Sequence, residues 1–433
     1  MRFQEITPFF KGRLPGQLVI QYASHCNGDC PQCGMRRSNS SIPRTRLGKE
    51  QAKRLIDDAA RHGFQALSFT GGEPLLFLDD LVELIDHATG AGIRYVRTGT
   101  NGFLFAGSER PDFEARITGL AARLAATKLY TFWISIDSAD PEEHERMRGL
   151  PGVIRGIEKA VPIFHAHGIY PSVNLGINRH TGGRNPRLYE PALDPQEFSH
   201  LFRQAFSRFY SFVHSLGFTI VNACYPMSDE PFPSPEGNDA AQGGLAKVYG
   251  ASSDDLVIRF TPEEKGLIFQ ALFDVIPAFR GAMRIFSPRC SLHSLIKKYR
   301  ENGLSLYPCR GGHDFFFVEA GQGKIHPCGY LPDTFAALPD IRLGAKPAPP
   351  DCHRCEWECF RDPSEMMGPL AEFFSHPFRL AGKLRRDPAF FRLLLEDLRY
   401  YRSCDFFDCR QPPNLTAMAR FARLLPPDRD LRP

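Results

Sequence analysis

Tryptophan is nearly absent from this chain, with 2 in 433 residues. An excess of charge is missing too: 53 Lys and Arg stand against 49 Asp and Glu, for a net charge of +4. Such a balance leaves no electrostatic footprint for a nucleic-acid backbone, so no nucleic-acid partner is expected. No uninterrupted apolar run is long enough to span a bilayer, which argues against stable membrane insertion. The opening residues, Met1-Arg-Phe-Gln-Glu5, lack the basic-then-apolar pattern of a secretory signal. The expected location is therefore cytoplasmic. Internal repeats are absent as well.

What is present in unusual measure is cysteine, 12 in all. In a cytosolic chain disulfides are disfavoured, so clustered thiols point to metal or redox chemistry. Three lie within 26–33, one at 224, and eight between 290 and 409. Phenylalanine is also abundant, at 36, and reads as the material of an apolar core.

The first group is Cys26-Asn-Gly-Asp-Cys30-Pro-Gln-Cys33, a C-x3-C-x2-C spacing directly after the apolar run Gln17–Ala23. Three thiolates so placed can hold three corners of a [4Fe-4S] cluster and leave one iron open. An open coordination position is where a metal centre performs chemistry. A zinc knuckle is the competing reading, but zinc usually takes four ligands and no fourth cysteine lies nearby.

Strand-like segments at 17–23, 65–70, 93–98, 131–137, 170–177 and 217–223 alternate with amphipathic stretches such as Lys49–Arg61, Leu78–Ala91 and Asp112–Ala126. Alternation of this kind predicts a parallel sheet with right-handed crossovers. Six units give an α/β fold, a partial (β/α)6 TIM-type barrel with chemistry on the loops after its strands. The expected organisation is a barrel over 1–223, a loop insertion and connecting helices over 224–289, and a cysteine-rich auxiliary-cluster domain with a helical tail over 290–433. Residues 225–255, rich in Pro, Gly and acids, read as a long loop, either a lid or a disordered insertion. Helices are expected at Pro262–Ala278 and Ala389–Tyr401, the latter packed on the body of the protein or, less in keeping with Glu396 and Asp397, on a membrane surface.

Further motifs follow successive strands. Thr70-Gly71-Gly72-Glu73-Pro74 pairs backbone permissive of close approach with a carboxylate. Thr100-Asn101-Gly102 is a second polar loop on the same face. Ser135 and Asp137 share a side by period-two alternation, and His144 and Arg148 share a helix face before Gly149. In this order the set resembles the radical S-adenosylmethionine (SAM) superfamily, over roughly residues 15–180. The resemblance implies that Cys26, Cys30 and Cys33 ligate a [4Fe-4S] cluster whose fourth iron takes SAM. It implies that Gly71, Gly72 and Glu73 meet the methionine amino group, with Pro74 shaping the turn. Ser135 and Arg148 would be ribose and carboxylate contacts, with Asp137 and Asn101 as polar supports. It implies an external one-electron reductant, such as a flavodoxin or ferredoxin, and a 5′-deoxyadenosyl radical that abstracts hydrogen from the substrate.

Cys309, Gly323-Lys-Ile-His-Pro-Cys328, Cys352-His-Arg-Cys355-Glu-Trp-Glu-Cys359 and Cys404-Asp-Phe-Phe-Asp-Cys409 form the second field. Its opening resembles the SPASM auxiliary-cluster domain, although the C-x2-C-x3-C block is shorter than that pattern. One or two auxiliary iron–sulfur clusters are expected. Cys352, Cys355, Cys359 and one of Cys404 and Cys409 would hold one. Cys309, Cys328, the other tail cysteine and Cys290 would hold the second. A single cluster, or zinc on Cys352 and Cys355, is the rival. Cys224, at the end of the sixth strand, is either a hydrogen donor to a product radical or a small apolar filler. The expected function is radical modification of a peptide or protein side chain, with a small-molecule or lipid-like metabolite as the alternative. A non-enzymatic electron carrier or sensor is the reading from another class; it would not need a SAM pocket.

Overall fold

In the computed structural model, residues 8–190, 193–227, 248–342 and 350–423 are described. The middle of the expected lid, 228–247, lies outside them. Six strand and helix units run in the anticipated order: β1 Gly16–Ala23, α1 Lys49–Arg61, β2 Phe64–Gly71, α2 Leu78–Gly90, β3 Tyr95–Thr100, α3 Phe113–Ala126, β4 Thr131–Ser135, α4 Pro141–Arg148, α5 Val153–Ala166, β5 Ser172–Gly176, α6 Pro195–Ser215 and β6 Ile220–Cys224. All neighbouring pairs among β1 to β6 are parallel.

The remainder comprises α7 Pro262–Phe279, β7 Arg284–Ile285, α8 Arg289–Glu301, β8 Phe315–Val318, β9 Ile325–His326, α9 Glu358–Ser375, α10 Pro377–Arg386, α11 Pro388–Ser403 and α12 Leu415–Ala419. Three of these strands were not anticipated, and they extend the sheet to the order β7-β6-β5-β4-β3-β2-β1-β8-β9. The sheet is open, as a partial barrel requires. β8 lies parallel to β1, pairing Gln17 with Phe315 and Ile20 with Val318. The cysteine-rich region is thus built onto the barrel edge by main-chain hydrogen bonds.

Alternation along the strands separates two faces. Leu18, Ile20, Leu67, Phe69, Val96, Phe132, Ile134, Val173 and Leu175 are fully buried against the helices. The lumen face is mainly polar, and over β1 and β8 it is filled by Val19, Phe315, Phe317, Tyr330, Trp357 and Phe360. Truncating a buried ring such as Phe69 or Phe132 to Ala would cost about 3–5 kcal/mol.

Helix ends carry the signals that set them. Thr261 and Glu264 form a reciprocal capping box ahead of α7, with Pro262 at its first position. Asp140 caps α4 by accepting from Glu142 N–H at 3.0 Å, Pro141 opens the helix, and Gly149 closes it at φ +63°. These two ends fix Arg148 in the last turn of a helix only eight residues long. The ladder of β4 stops at Ser135, short of the expected 137. There the Asp137 N–H turns to His144 Nδ1, at 3.1 Å, instead of to a neighbouring strand.

Candidate active site

The loop after β1 carries Cys26, Cys30 and Cys33, and it is held from several directions. Arg44 donates to four of its flanking carbonyls, those of Ser24, Met35, Arg36 and Asn39, at 2.7–2.9 Å. Asp29 N–H donates to the Arg148 carbonyl at 2.8 Å. Gln32 donates to Asp137 at 2.7 Å, which ties the loop to the end of β4. Residues near the end of the 225–255 loop complete the enclosure: Gly34 N–H donates to Ser252 O at 3.0 Å, and Ser253 Oγ donates to Pro31 O at 2.7 Å. Sequence reasoning missed Arg44 and this packing, because neither has a spacing signature.

The two glycines after β2 are required by close approach. A methyl on Gly72 would stand 2.1 Å from the His25 carbonyl oxygen, and one on Gly71 would stand 2.5 Å from that of Ala23. Bare backbone there lets Gly72 N–H donate to Ala23 O at 2.8 Å and Glu73 N–H to His25 O at 2.7 Å. Glu73 is fully buried, and its carboxylate accepts from the N–H groups of Leu75 at 2.9 Å and Asn101 at 2.6 Å. Pro74 opens a single 3-10 turn after it. Burial pushes Glu73 up to about 7, against the hydrogen bonds that favour its charge. Asn101 in turn donates to Asn27 at 2.8 Å, and its side-chain nitrogen lies 3.8 Å from Cys26 Sγ.

Arg148 and Asp137 form a buried ion pair at 2.7 Å. Burial opposes the charge on Arg148, but Asp137 and the nearby thiols of Cys30 and Cys26 hold it on. Asp137 also accepts from Gly176 N–H at 3.2 Å, so it joins the cluster loop, α4 and β5. His144 is held well below its ordinary pKa, by burial first and Arg148 second. It is therefore neutral. Because its Nδ1 accepts from Asp137 N–H, its proton sits on Nε2. Ser135 is half-buried on the lumen side at the end of β4.

The donor set fits a polar cofactor beside an iron–sulfur cluster. His144 Nε2, Arg148 Nε and Gln32 Oε1 are buried without a hydrogen-bond partner. Burial pushes the thiols of Cys30 and Cys33 up to about 12 and about 11, and raises that of Cys26. As thiolates in this setting they need a metal's positive charge. Among the described residues, no three His, Cys, Asp or Glu side chains converge tightly enough for a single metal ion.

The sequence profile of the Radical SAM superfamily matches residues 20–184. An AdoMet-dependent heme synthase of Oleidesulfovibrio alaskensis is 30% identical over 329 residues, covering 73% of this chain and 70% of that protein. The chain belongs to the radical SAM superfamily. The AdoMet-dependent heme synthase of Methanosarcina barkeri is 24% identical over 318 residues, covering 73% of this chain and 78% of the other. Among solved structures, the FeFe-hydrogenase maturase HydG from Carboxydothermus hydrogenoformans aligns over 90% of this chain and 85% of its own, at 15% identity and a TM-score of 0.44.

In this radical SAM protein the second cysteine field divides in space. Cys309 and Cys352 meet in a backbone bridge, with Cys309 N–H donating to Cys352 O at 2.9 Å. Each of the thiols of Cys309, Cys328 and Cys355 lies in the electrostatic field of two others in the set Cys309, Cys328, Cys352 and Cys355. Cys359 faces elsewhere. α9 begins at Glu358, between Cys355 and Cys359, and turns the Cys359 thiol into the lumen, where Gln17 Nε2 lies 3.2 Å from its sulfur.

Cys404 and Cys409 have surroundings of their own. Both are buried near Arg284, and Cys409 bonds the chain just before β4 and β5, at the base of the barrel. Cys290 is buried with its sulfur 3.3 Å from Met366 Sδ. Cys309, Cys328, Cys352 and Cys355 thus lie within one another's electrostatic reach, and Cys290, Cys359, Cys404 and Cys409 have other surroundings. Cys224 faces the lumen, 3.3 Å from Asn174 Oδ1, and burial followed by the nearby Glu358 raises its pKa well above the ordinary range. It stays a thiol.

Proposed function

We propose that this chain cleaves SAM reductively at a [4Fe-4S] cluster and acts on a small-molecule metabolite, assisted by one auxiliary cluster. Cys26, Cys30 and Cys33 would hold the first cluster, and Cys309, Cys328, Cys352 and Cys355 the second. When bound, the cluster and SAM together supply the one-electron cleavage and the 5′-deoxyadenosyl radical.

The chain's own residues do the positioning. Arg44 and Asp137 fix the cysteine loop, and Glu73 locks the Gly-Gly turn to the Asn101 turn. His144 and Arg148 offer unpartnered N–H groups toward polar parts of the cofactor. Tyr249, bonded to Thr70 at 2.7 Å, covers the lumen near Cys33 and excludes water. Cys224, a protonated thiol on the lumen wall, is the hydrogen donor in this reading. Its thiyl regains the thiol with one electron from the external reductant and a proton.

The observation that carries the reading is the three-thiol loop enclosed beside His144, Arg148 and Gln32, whose buried polar atoms lack partners. The name of the two heme synthases supports a small-molecule substrate over a peptide side chain. The test is 5′-deoxyadenosine formation by anaerobically reconstituted protein with dithionite. A protein-free metabolite extract should raise the rate severalfold, and a tryptic peptide mixture should not. The reverse result would return the substrate to the peptide class.

A further inference from the structure

Only one charged residue occurs in β1 to β6, and it is Arg97 of β3. Val96 and Thr98 face the helices, so Arg97 faces the lumen. Elsewhere most buried arginines pair with carboxylates, Arg13 with Asp314, Arg148 with Asp137, Arg280 with Asp397 and Arg361 with Glu365, while Arg284 donates instead to the Asp408 carbonyl and Thr219 Oγ1. Arg97 has no such partner among the described residues. Its Nε and one terminal nitrogen are buried without a hydrogen bond. The thiol of Cys359, which faces the lumen, and the phenol of Tyr130 lie within its electrostatic reach. An unpaired guanidinium inside a barrel is costly in stability, and its donors want an acceptor.

The wall beside Arg97 is less filled than the side over β1 and β8: Trp133, Ser135, Asn174, Asn222 and Cys224 are only partly buried there. A methyl on Gly99 would stand 2.1 Å from the Trp133 ring. The indole therefore lies against the β3 backbone, two residues from Arg97 on the same face. Asn222 donates to Asn174 at 2.8 Å, which leaves neutral amide groups along β5 and β6.

We propose that the lumen between β3 and β6 is the substrate pocket, and that Arg97 receives a carboxylate of a small organic acid whose apolar part lies on Trp133. The proposal rests on the small-molecule reading above and names the class. A planar guanidinium matches the two oxygens of one carboxylate. A phosphate's larger charge would call for a second cation, and the six strands hold none.

The test uses crystals of the anaerobically reconstituted protein soaked in sodium bromide, with anomalous scattering locating the ion. Bromide should order against the Arg97 guanidinium, persist in Arg97→Lys and vanish in Arg97→Gln. In competition soaks 3-phenylpropionate should displace it, and its neutral amide should not. Bromide bound elsewhere but not at Arg97 would overturn the pocket. Displacement by inorganic phosphate and not by 3-phenylpropionate would overturn the carboxylate class. Arg97→Gln should keep the wild-type SAM-dependent change in the cluster's EPR signal. If the wild type shows no such change, the cofactor reading has failed, and the bromide result still judges the pocket alone.

Discussion

Glu73 is joined to Asn101 by a hydrogen bond of 2.6 Å, from the Asn101 backbone N–H to a carboxylate oxygen. Its other oxygen accepts from Leu75 N–H at 2.9 Å. One buried side chain thus holds together two turns, after β2 and β3, that the sequence presents as separate motifs.

Glu73→Ala should leave both N–H groups buried and unpaired, a loss of roughly 2–4 kcal/mol. Glu73→Gln, which keeps one acceptor, should lose about half as much. Chemical denaturation of the anaerobic protein measures both. SAM binding should weaken in the Ala variant while the iron content of the protein stays at the wild-type level.

Arg44→Ala should release the four carbonyls that frame the cysteine loop. The expected outcome is loss of about four iron atoms per chain, one cubane's worth, with the auxiliary cluster retained. Iron and sulfide analysis with Mössbauer spectroscopy separates this cluster from the proposed auxiliary one.

Substitution of the second cysteine field should divide cleanly. Cys309→Ala and Cys355→Ala should each remove the auxiliary cluster. Cys290→Ala, Cys404→Ala and Cys409→Ala should leave iron content unchanged and lower only stability, as core truncations. Iron lost from a Cys404 or Cys409 variant that remains folded would contradict the grouping.

Four buried carboxyls give the fold a pH dependence. Burial is the first cause of each shift, pushing Glu73, Glu358 and Glu365 up to about 7 and Asp362 up to about 8. The folded chain therefore keeps protons that the unfolded chain releases near pH 4. Stability is greatest below that pH, as far as these groups are concerned, and falls as pH rises toward 8. Asp362→Asn removes one titrating group, so it should lose less stability than the wild type between pH 5 and 8. The difference should grow by roughly 1.4 kcal/mol per pH unit within that window. Thermal melts across the range measure it.

The six barrel strands were legible because each is a short apolar or β-branched run ended by a polar or glycine-rich turn. β8 was not, although Phe315-Phe-Phe-Val318 is as apolar as any of them. Its partner is β1, nearly 300 residues away, and no local pattern reports a pairing that distant. β7 and β9, two residues each, fall below any periodicity. The site was legible as motifs but not as contacts. Spacing brought out Gly71, Gly72, Glu73, Asn101, Asp137 and Arg148, but could not show that Asp137 and Arg148 pair with each other. In the second field, spacing grouped Cys359 with Cys355, and the start of α9 between them separates the two thiols. Arg97 was overlooked because a single arginine in a strand carries no motif; its meaning comes from the neutral walls around it.

The proposed SAM cleavage requires an open iron held by Cys26, Cys30 and Cys33. The decisive measurement is the EPR spectrum of the dithionite-reduced, anaerobically reconstituted protein before and after SAM is added, compared with a Cys26/Cys30/Cys33→Ala variant. The account predicts a cubane signal that changes on SAM addition in the wild type, and a residual auxiliary signal indifferent to SAM in the variant. A wild-type signal unmoved by SAM, or a variant that responds as the wild type does, would contradict it.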